Sequence, residues 1–505
     1  MSVSESAAAP SPALRPVGRH TFPLSLREKQ VLLAILASAL ILRLVNANAE
    51  YWFDEIIVVQ TFVRGSLSYI LQRYEIAGNQ VLYSAMAHVF ARVLGEEPWA
   101  VRLPSILFGA GSVWAFFLVA RQLWSARIAL LGTFLFAFSY YHIYYSQNAR
   151  GYTSFLFFAL LAASLLMRML TAAEPQRRDG AGYAVAIGVG LYALLLMAFV
   201  VVAHGCVLIF SRRRWLLLWL LAGLILAAAL YAPMGQELIS FYRNQAGETG
   251  HQLMSAGFLR ELSPILPLLV PALIVGPLLL ARLARRQPAA AALIVLPLVF
   301  TIALPAIKGG GLHPRTLIYA LPVAYLFLTE ALDWLEHRQR WAPWIVAAVV
   351  IVASLAQLAP YYRLPKQGFQ QALAYIEAHR KPQDQRLGLT LGGKAARFYD
   401  PSLKLVDNVN ELRQWLKSAR QPTWIIYTFA SEMRDSAPQL HKWVETATTA
   451  QAEFPGVVGD GTVHVQLWQP KAPARKGETP QGKKSHRSDS RRLPALTLRN
   501  ARHDS

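Results

Sequence analysis

Ten apolar runs of near-spanning length, interrupted by clusters of arginine, restrict this chain to a membrane-embedded helical bundle. They cover 31–45, 104–120, 127–145, 153–170, 181–211, 215–232, 264–281, 289–305, 316–332 and 341–358. A stretch of about 20 apolar residues crosses the hydrocarbon as a helix, because lipid offers its backbone no hydrogen-bond partner. The run 181–211 is too long for one crossing and short for two. Charge decides between them. Arg121 and Arg127, Arg168, Arg177 and Arg178, Arg212 to Arg214, Arg282, Arg285 and Arg286, and Arg338 and Arg340 share one side only if that run crosses twice. Short loops rich in Lys and Arg stay in the cytoplasm. The sequence therefore predicts a mainly α, polytopic bundle of about 11 spans, with the N-terminus inside and residue 360 onward outside.

Composition agrees: 54% of the residues are hydrophobic and 16% charged, and the mean hydropathy is +0.31. The net charge of +21 does not point to nucleic acid, since the basic residues sit in short clusters between apolar runs. A single cysteine, Cys206, excludes an intramolecular disulfide. Residues 1–30, rich in Ala, Ser and Pro and carrying Arg15, Arg19, Arg27 and Lys29, read as a disordered basic cytoplasmic arm. Ala47-Asn48-Ala49 has the A-x-A form of a signal-peptide cleavage site, but the long leader argues against cleavage. Residues 31–360 form the membrane domain. From 361 to 470 the pattern changes to a helix near Lys366–Arg380 and short strands at 387–391, 403–406, 424–429 and 463–468, which predicts a small extracytoplasmic α/β domain. The tail 471–505, with ten Lys or Arg against three acids, reads as disordered.

The outer loop 50–102 is too elaborate for a plain connector. Glu50-Tyr51-Trp52-Phe53-Asp54-Glu55 sets two carboxylates behind three aromatic rings at the membrane boundary. Val81–Leu94 is apolar, yet a crossing there would put Arg121 and Arg127 outside, so it reads as a helix lying in the interface. The same topology places three further polar segments on the side of the acids: Tyr140 to Tyr152, containing His142, Gln147, Asn148 and Arg150; the loop Tyr231 to Ser263, containing Glu237, Arg243, Glu248 and His251; and Lys308-Gly309-Gly310-Gly311-Leu312-His313-Pro314-Arg315. Singly these have ordinary explanations. An interfacial arginine snorkels, a glycine run is a flexible loop, and tyrosines form an aromatic belt. Cations gathered on the face that the charge bias leaves poor in them point instead to a site, and arginine holds phosphate through paired hydrogen bonds.

Trp52-Phe53-Asp54-Glu55, Gly78-Asn79-Gln80-Val81-Leu82-Tyr83, Trp99-Ala100-Val101-Arg102-Leu103-Pro104-Ser105 and Tyr145-Ser146-Gln147-Asn148-Ala149-Arg150-Gly151-Tyr152 follow in that order. The set resembles the N-terminal signature of the GT-C glycosyltransferases, most closely the group of protein O-mannosyltransferases and the lipid A aminoarabinose transferase. His313-Pro314-Arg315-Thr316-Leu317-Ile318-Tyr319-Ala320-Leu321-Pro322 is similar to an arginine-led segment that opens a late span there. The resemblance covers roughly residues 30–335. Two positions depart from it: Asn79-Gln80-Val81-Leu82 stands where His-Pro-Pro-Leu is common, and Gly151-Tyr152 replaces an acid.

The resemblance implies an enzyme that takes a sugar from a polyprenyl phosphate and passes it to a lipid, polysaccharide or protein acceptor outside the cytoplasmic membrane of a bacterium. It implies Asp54 as general base with Glu55 orienting a hydroxyl, Arg150 and Arg315 clamping the phosphate, and Lys308, His313 and Tyr152 assisting. Asn79, Gln80, Tyr83, Arg102, His142, Gln147 and Asn148 would support the acceptor or the loops. No cofactor is required by this scheme, although Asp54 and Glu55 with His142 or His251 offer donors to a divalent cation. A transporter or flippase of lipid-linked sugars is the competing class, but it should show internal repeats or broken helices near the midplane, and no repeat is present.

Overall fold

The computed structural model describes residues 23–74, 79–245, 266–308, 314–457 and 460–470. The arm before residue 23, Gly78, Glu248, His251, the Gly309–Gly311 run with His313 and the tail from 471 lie outside them.

Helix α1 (Leu26–Leu44) begins at a capping box in which Ser25 accepts from the Glu28 amide and Glu28 accepts from the Ser25 amide. The outer loop follows, with α2 (Phe53–Val58), α3 (Leu67–Gln72) and α4 (Val81–Leu94). Helices α5 (Pro98–Leu123), α6 (Ala126–Ala137), α7 (Tyr140–Ser146), α8 (Tyr152–Thr171), α9 (Arg177–Ala193), α10 (Met197–Ile209), α11 (Leu217–Tyr231) and α12 (Gly235–Gln245) come next. The bundle is completed by α13 (Leu266–Arg286), α14 (Pro288–Lys308), α15 (Ala320–Glu336) and α16 (Ala342–Arg363).

Helix α8 lies at the centre and is 78% buried, whereas the stretches Arg214–Asn244 and Ala342–Arg363 are 22% buried and form the perimeter. Helices α5, α8, α9 and α11 pack in succession. Helices α9 and α11 meet backbone to backbone, because a Cβ on Gly188 would lie 2.9 Å from the Gly223 carbonyl.

The chain is a multi-pass membrane protein. Among the described residues five helices are long and apolar enough to cross, and six if the pair α6 and α7, bent by 60°, is one span. The eleven crossings expected are not reached on this measure. The run 127–145 breaks because Ser139 accepts the His142 amide and starts a new helix. The run 181–211 divides at residues 194–196, leaving α9 and α10 with 17 and 13 residues. Helix α1 carries Glu28 and Arg43 in its end turns, which lowers its apolar character. Val81–Leu94 is a separate 14-residue helix, with Val89 and Val93 exposed.

Beyond α16 the chain forms α17 (Phe369–His379) and then an α/β unit of five strands, β1 (Gln385–Leu389), β2 (Lys404–Val406), β3 (Thr423–Tyr427), β4 (Thr449–Phe454) and β5 (Val463–Trp468). Helix α18 (Thr390–Tyr399) follows β1. The order is β2-β1-β3-β5-β4, parallel for the first three and antiparallel for the last two. Strand β3 is central and buried at every position, as its TWIIY sequence demands. Strand β4, absent from the sequence reading, is an edge strand whose TAQAEF sequence keeps only partial burial.

Candidate active site

Two carboxylates in the first turn of α2, where the helix dipole favours negative charge, go to different partners. Glu55 points inward and is fully buried. Arg102 on α5 grips it with both forks: Nε donates to Oε1 at 2.9 Å and Nη2 to Oε2 at 2.5 Å. The remaining Arg102 protons go to the carbonyls of Ala47, Ala49 and Glu50. Every donor of the guanidinium is therefore used. Oε1 of Glu55 also accepts from the Ala149 amide at 2.8 Å and from Lys366 Nζ at 3.1 Å. Burial alone would raise the Glu55 carboxyl, but Arg102 and Lys366 reverse this and hold it down at about 2. Sequence reasoning gave Glu55 a hydroxyl to orient. In the structure both of its oxygens already accept from donors of the protein itself.

Asp54 turns the other way. Its Oδ2 lies 3.0 Å from Arg150 Nη2 and 3.9 Å from Arg315 Nη1, with 20% of its side chain exposed. Arg315 is half exposed, while Arg150 is nearly buried. A carboxylate and two guanidiniums thus meet at one partly open point, contributed by the outer loop, the turn just before α8 and the segment before α15. Lys308 is the last residue of α14; its side chain and His313 lie outside the described residues.

Gln80, Asn79, Tyr83 and Gln147 bond to backbone groups, whereas Asn148 and Tyr152 meet side chains. Gln80 Oε1 accepts from the Gly151 amide. Asn79 Nδ2 donates to the Ile70 and Arg73 carbonyls. Tyr83 donates to the Val101 carbonyl, one residue before Arg102. Gln147 Nε2 donates to the carbonyls of Arg43 and Val45, closing the end of α1 onto the loop after α7. Asn148 Oδ1 accepts from Lys366 Nζ at 2.7 Å. Tyr152 is buried next to Arg150, with its ring 5.1 Å from that of Tyr145.

His142, considered as a metal ligand with the acids, lies elsewhere. It is buried between Arg43, which meets its Nδ1, and Ser112 Oγ, 2.8 Å from its Nε2. Arg43 also donates to Ser146 and to the free Ala137 carbonyl at the end of α6, bridging the break in the bent span. Helix α5 approaches closely here, because a Cβ on Gly109 would lie 2.3 Å from Ser146 Oγ. Among the described residues no three His, Cys, Asp or Glu come together as a metal site.

Sequence reasoning missed Arg43, Glu50, Lys366 and Gln367. Lys366 is 4% exposed. Burial, with Arg102 close by, pushes its ammonium down to about 7 against the opposing pull of Glu55. Its signal was present: a cation just beyond the last span is as anomalous under the charge bias as Arg150 and Arg315.

Residues 80–235 match the sequence profile of the family described as dolichyl-phosphate-mannose-protein mannosyltransferase. In structure the chain is similar to ArnT from Cupriavidus metallidurans in the apo state, with a TM-score of 0.57 and 14% identity over 87% of this chain and 98% of that one. The fold is GT-C-like. ArnT bound to undecaprenyl phosphate gives a TM-score of 0.55, again with 14% identity, over 86% of this chain and 97% of that one. The Archaeoglobus fulgidus oligosaccharyltransferase AglB, in complex with an inhibitory peptide and a dolichol-phosphate, gives 0.46 with 11% identity over 89% and 76%. No curated relative matches in sequence. The GT-C resemblance read from the ordered motifs thus returns in the profile match and in the fold.

Proposed function

We propose that this protein is an integral-membrane glycosyltransferase that moves a sugar from a polyprenyl-phosphate donor to a lipid, polysaccharide or protein acceptor at the extracytoplasmic face of a bacterial inner membrane. The observation that carries it is the meeting of Asp54 with Arg150 and Arg315 at one partly open point. The undecaprenyl phosphate bound by ArnT, a chain of the same fold, supports a lipid-phosphate donor.

Transfer needs a base for the acceptor and cations for the leaving phosphate. An incoming phosphate competes with Asp54 for the two guanidiniums and leaves the carboxylate free to face the acceptor. The acceptor oxygen or nitrogen then gives its proton to Asp54 and attacks the anomeric carbon. The bond from that carbon to the phosphate oxygen breaks, and its electron pair stays on the polyprenyl phosphate, whose charge Arg150 and Arg315 take up. One base without a second, nucleophilic carboxylate gives inversion, and Glu55 is too fully bonded to serve as that nucleophile. General-base help of this kind is worth about 100- to 10,000-fold.

The test is transfer of radiolabelled sugar from a panel of polyprenyl-phosphate donors to total membrane extract by purified protein. Wild type should label an acceptor, and Asp54→Asn and Arg315→Ala should not. Full transfer by both variants would remove the assigned roles. No transfer by wild type from any donor would favour transport.

A further inference from the structure

The residues around the acid pair are held from the C-terminal side of the chain at almost every position. Gln370 donates its amide to Glu50 Oε2 at 2.9 Å. Tyr399, at the end of α18, donates to the Tyr51 carbonyl at 2.9 Å. The Phe53 amide donates to Gln367 Oε1 at 2.8 Å, and the Phe53 ring packs on Phe429 with centroids 5.4 Å apart. Lys366 Nζ reaches Glu55 at 3.1 Å. Residues 50, 51, 53 and 55 are thus tied to 370, 399, 367 and 366. Asp54, between them, is left with its side chain toward the two arginines.

Lys366 does more than pair with Glu55. Its ammonium has three protons, and it meets three acceptors: Glu55 Oε1, the Gln147 carbonyl at 2.5 Å and Asn148 Oδ1 at 2.7 Å. One nitrogen therefore joins the segment that carries Asp54 to the segment that leads to Arg150. Such a buried, fully used ammonium fixes the distance between two backbones, which a single ion pair at the surface does not.

We propose that Lys366, seconded by Gln367, is a positioning residue for transfer, setting Asp54 against Arg150 by fastening both of their segments to the start of the C-terminal unit. The α/β unit is thereby part of the active-site framework. This inference rests on the reading of Asp54 and Arg150 given above.

The experiment compares wild type, Asp54→Asn, Lys366→Met and Gln367→Ala in the transfer assay, using the polyprenyl-phosphate sugar that wild type accepts. Binding of undecaprenyl phosphate alone is measured beside it. Lys366→Met should lower kcat roughly 10- to 100-fold, because catalysis is sensitive to displacements of about 1 Å. Donor KM and the undecaprenyl phosphate Kd should stay within about twofold, since the arginines remain; a protein merely damaged in folding would lose binding in proportion. Gln367→Ala, which removes the hydrogen bonds to the Phe53 amide and to Thr428 Oγ1 and leaves the ammonium, should show the same split at about 3- to 10-fold and serves where Lys366→Met does not fold. If Asp54→Asn abolishes transfer while Lys366→Met and Gln367→Ala leave kcat unchanged, or reduce kcat and binding together, the positioning role is overturned and the site reading stands. If Asp54→Asn retains full transfer, the site reading falls and takes this role with it.

Discussion

Arg102 and Glu55 form a two-pronged ion pair with side chains 1% and 0% exposed, and of the two adjacent carboxylates Glu55 is the one sealed inside it. Its neighbour Asp54 keeps the open position. Removing one member of a buried pair costs about 3–5 kcal/mol, because the other is left charged and unpartnered. Arg102→Met should therefore lower the thermal unfolding midpoint in detergent sharply and reduce the yield of folded protein. Asp54→Asn should unfold close to wild type. Equal midpoints for Arg102→Met and wild type would contradict that cost.

The two arginines beside Asp54 differ in exposure, and their variants should differ accordingly. Arg150, nearly buried and fixed through its carbonyl by Ser105, is pre-aimed. Its loss should reduce kcat about 100-fold or more, as for other preorganised charge donors. Arg315 is half exposed and stands farther from Asp54, so Arg315→Ala should act mainly on donor affinity, raising KM about tenfold. Lysine at either position should recover only part of the loss, since it offers no planar fork. Steady-state kinetics in the donor checks both.

Glu50 gives a pH signature. Burial raises its carboxyl to about 7, against the opposing Gln370 amide. An acid whose folded pKa exceeds its unfolded value of 4.5 holds more protons folded than unfolded between the two. Its contribution to stability thus falls as pH rises from 4.5 to about 7 and is flat above. Because the side chain is only partly buried, the loss should be on the order of 1 kcal/mol. Unfolding midpoints measured from pH 4.5 to 8 should decline less in Glu50→Gln than in wild type; parallel curves would reject the assignment.

The contact under the bent span predicts a strong response to one methyl group. In Gly109→Ala the new carbon would meet Ser146 Oγ at 2.3 Å, with Arg43 Nε at 3.2 Å. Overpacking of this kind costs about 1–3 kcal/mol. The variant should lose thermal stability, and Ser146→Ala, which leaves more room, should recover part of that loss when the two are combined.

Charge made the grouping of Arg150 and Arg315 with Asp54 legible in the sequence. Arg150 and Arg315 stood out because cations are scarce on that side of the bundle, and the structure brings both to Asp54. What could not be read was direction. Consecutive residues of a helix point about 100° apart, so Asp54 and Glu55, adjacent in the chain, face different partners. Nor could the spacing reveal that Lys366 lies within reach of Glu55, 311 positions earlier. Arg43 was hidden within an apolar run, where its donors are met by two carbonyls, the Ser146 hydroxyl and the His142 ring, not by an acid whose presence would have flagged it. The break at Ser139 was equally quiet, because a serine in an apolar run is unremarkable until its hydroxyl is seen capping a helix.

The ties between residues 50–55 and 366–399 bear on how such a protein can be recombined. A chimera cut at the end of α16 would exchange what looks like a separable module, yet it would part Lys366 and Gln367 from the loop they fit. Transplants between relatives should therefore work only when the graft carries the outer loop together with everything after residue 364, as one interlocked unit of inheritance.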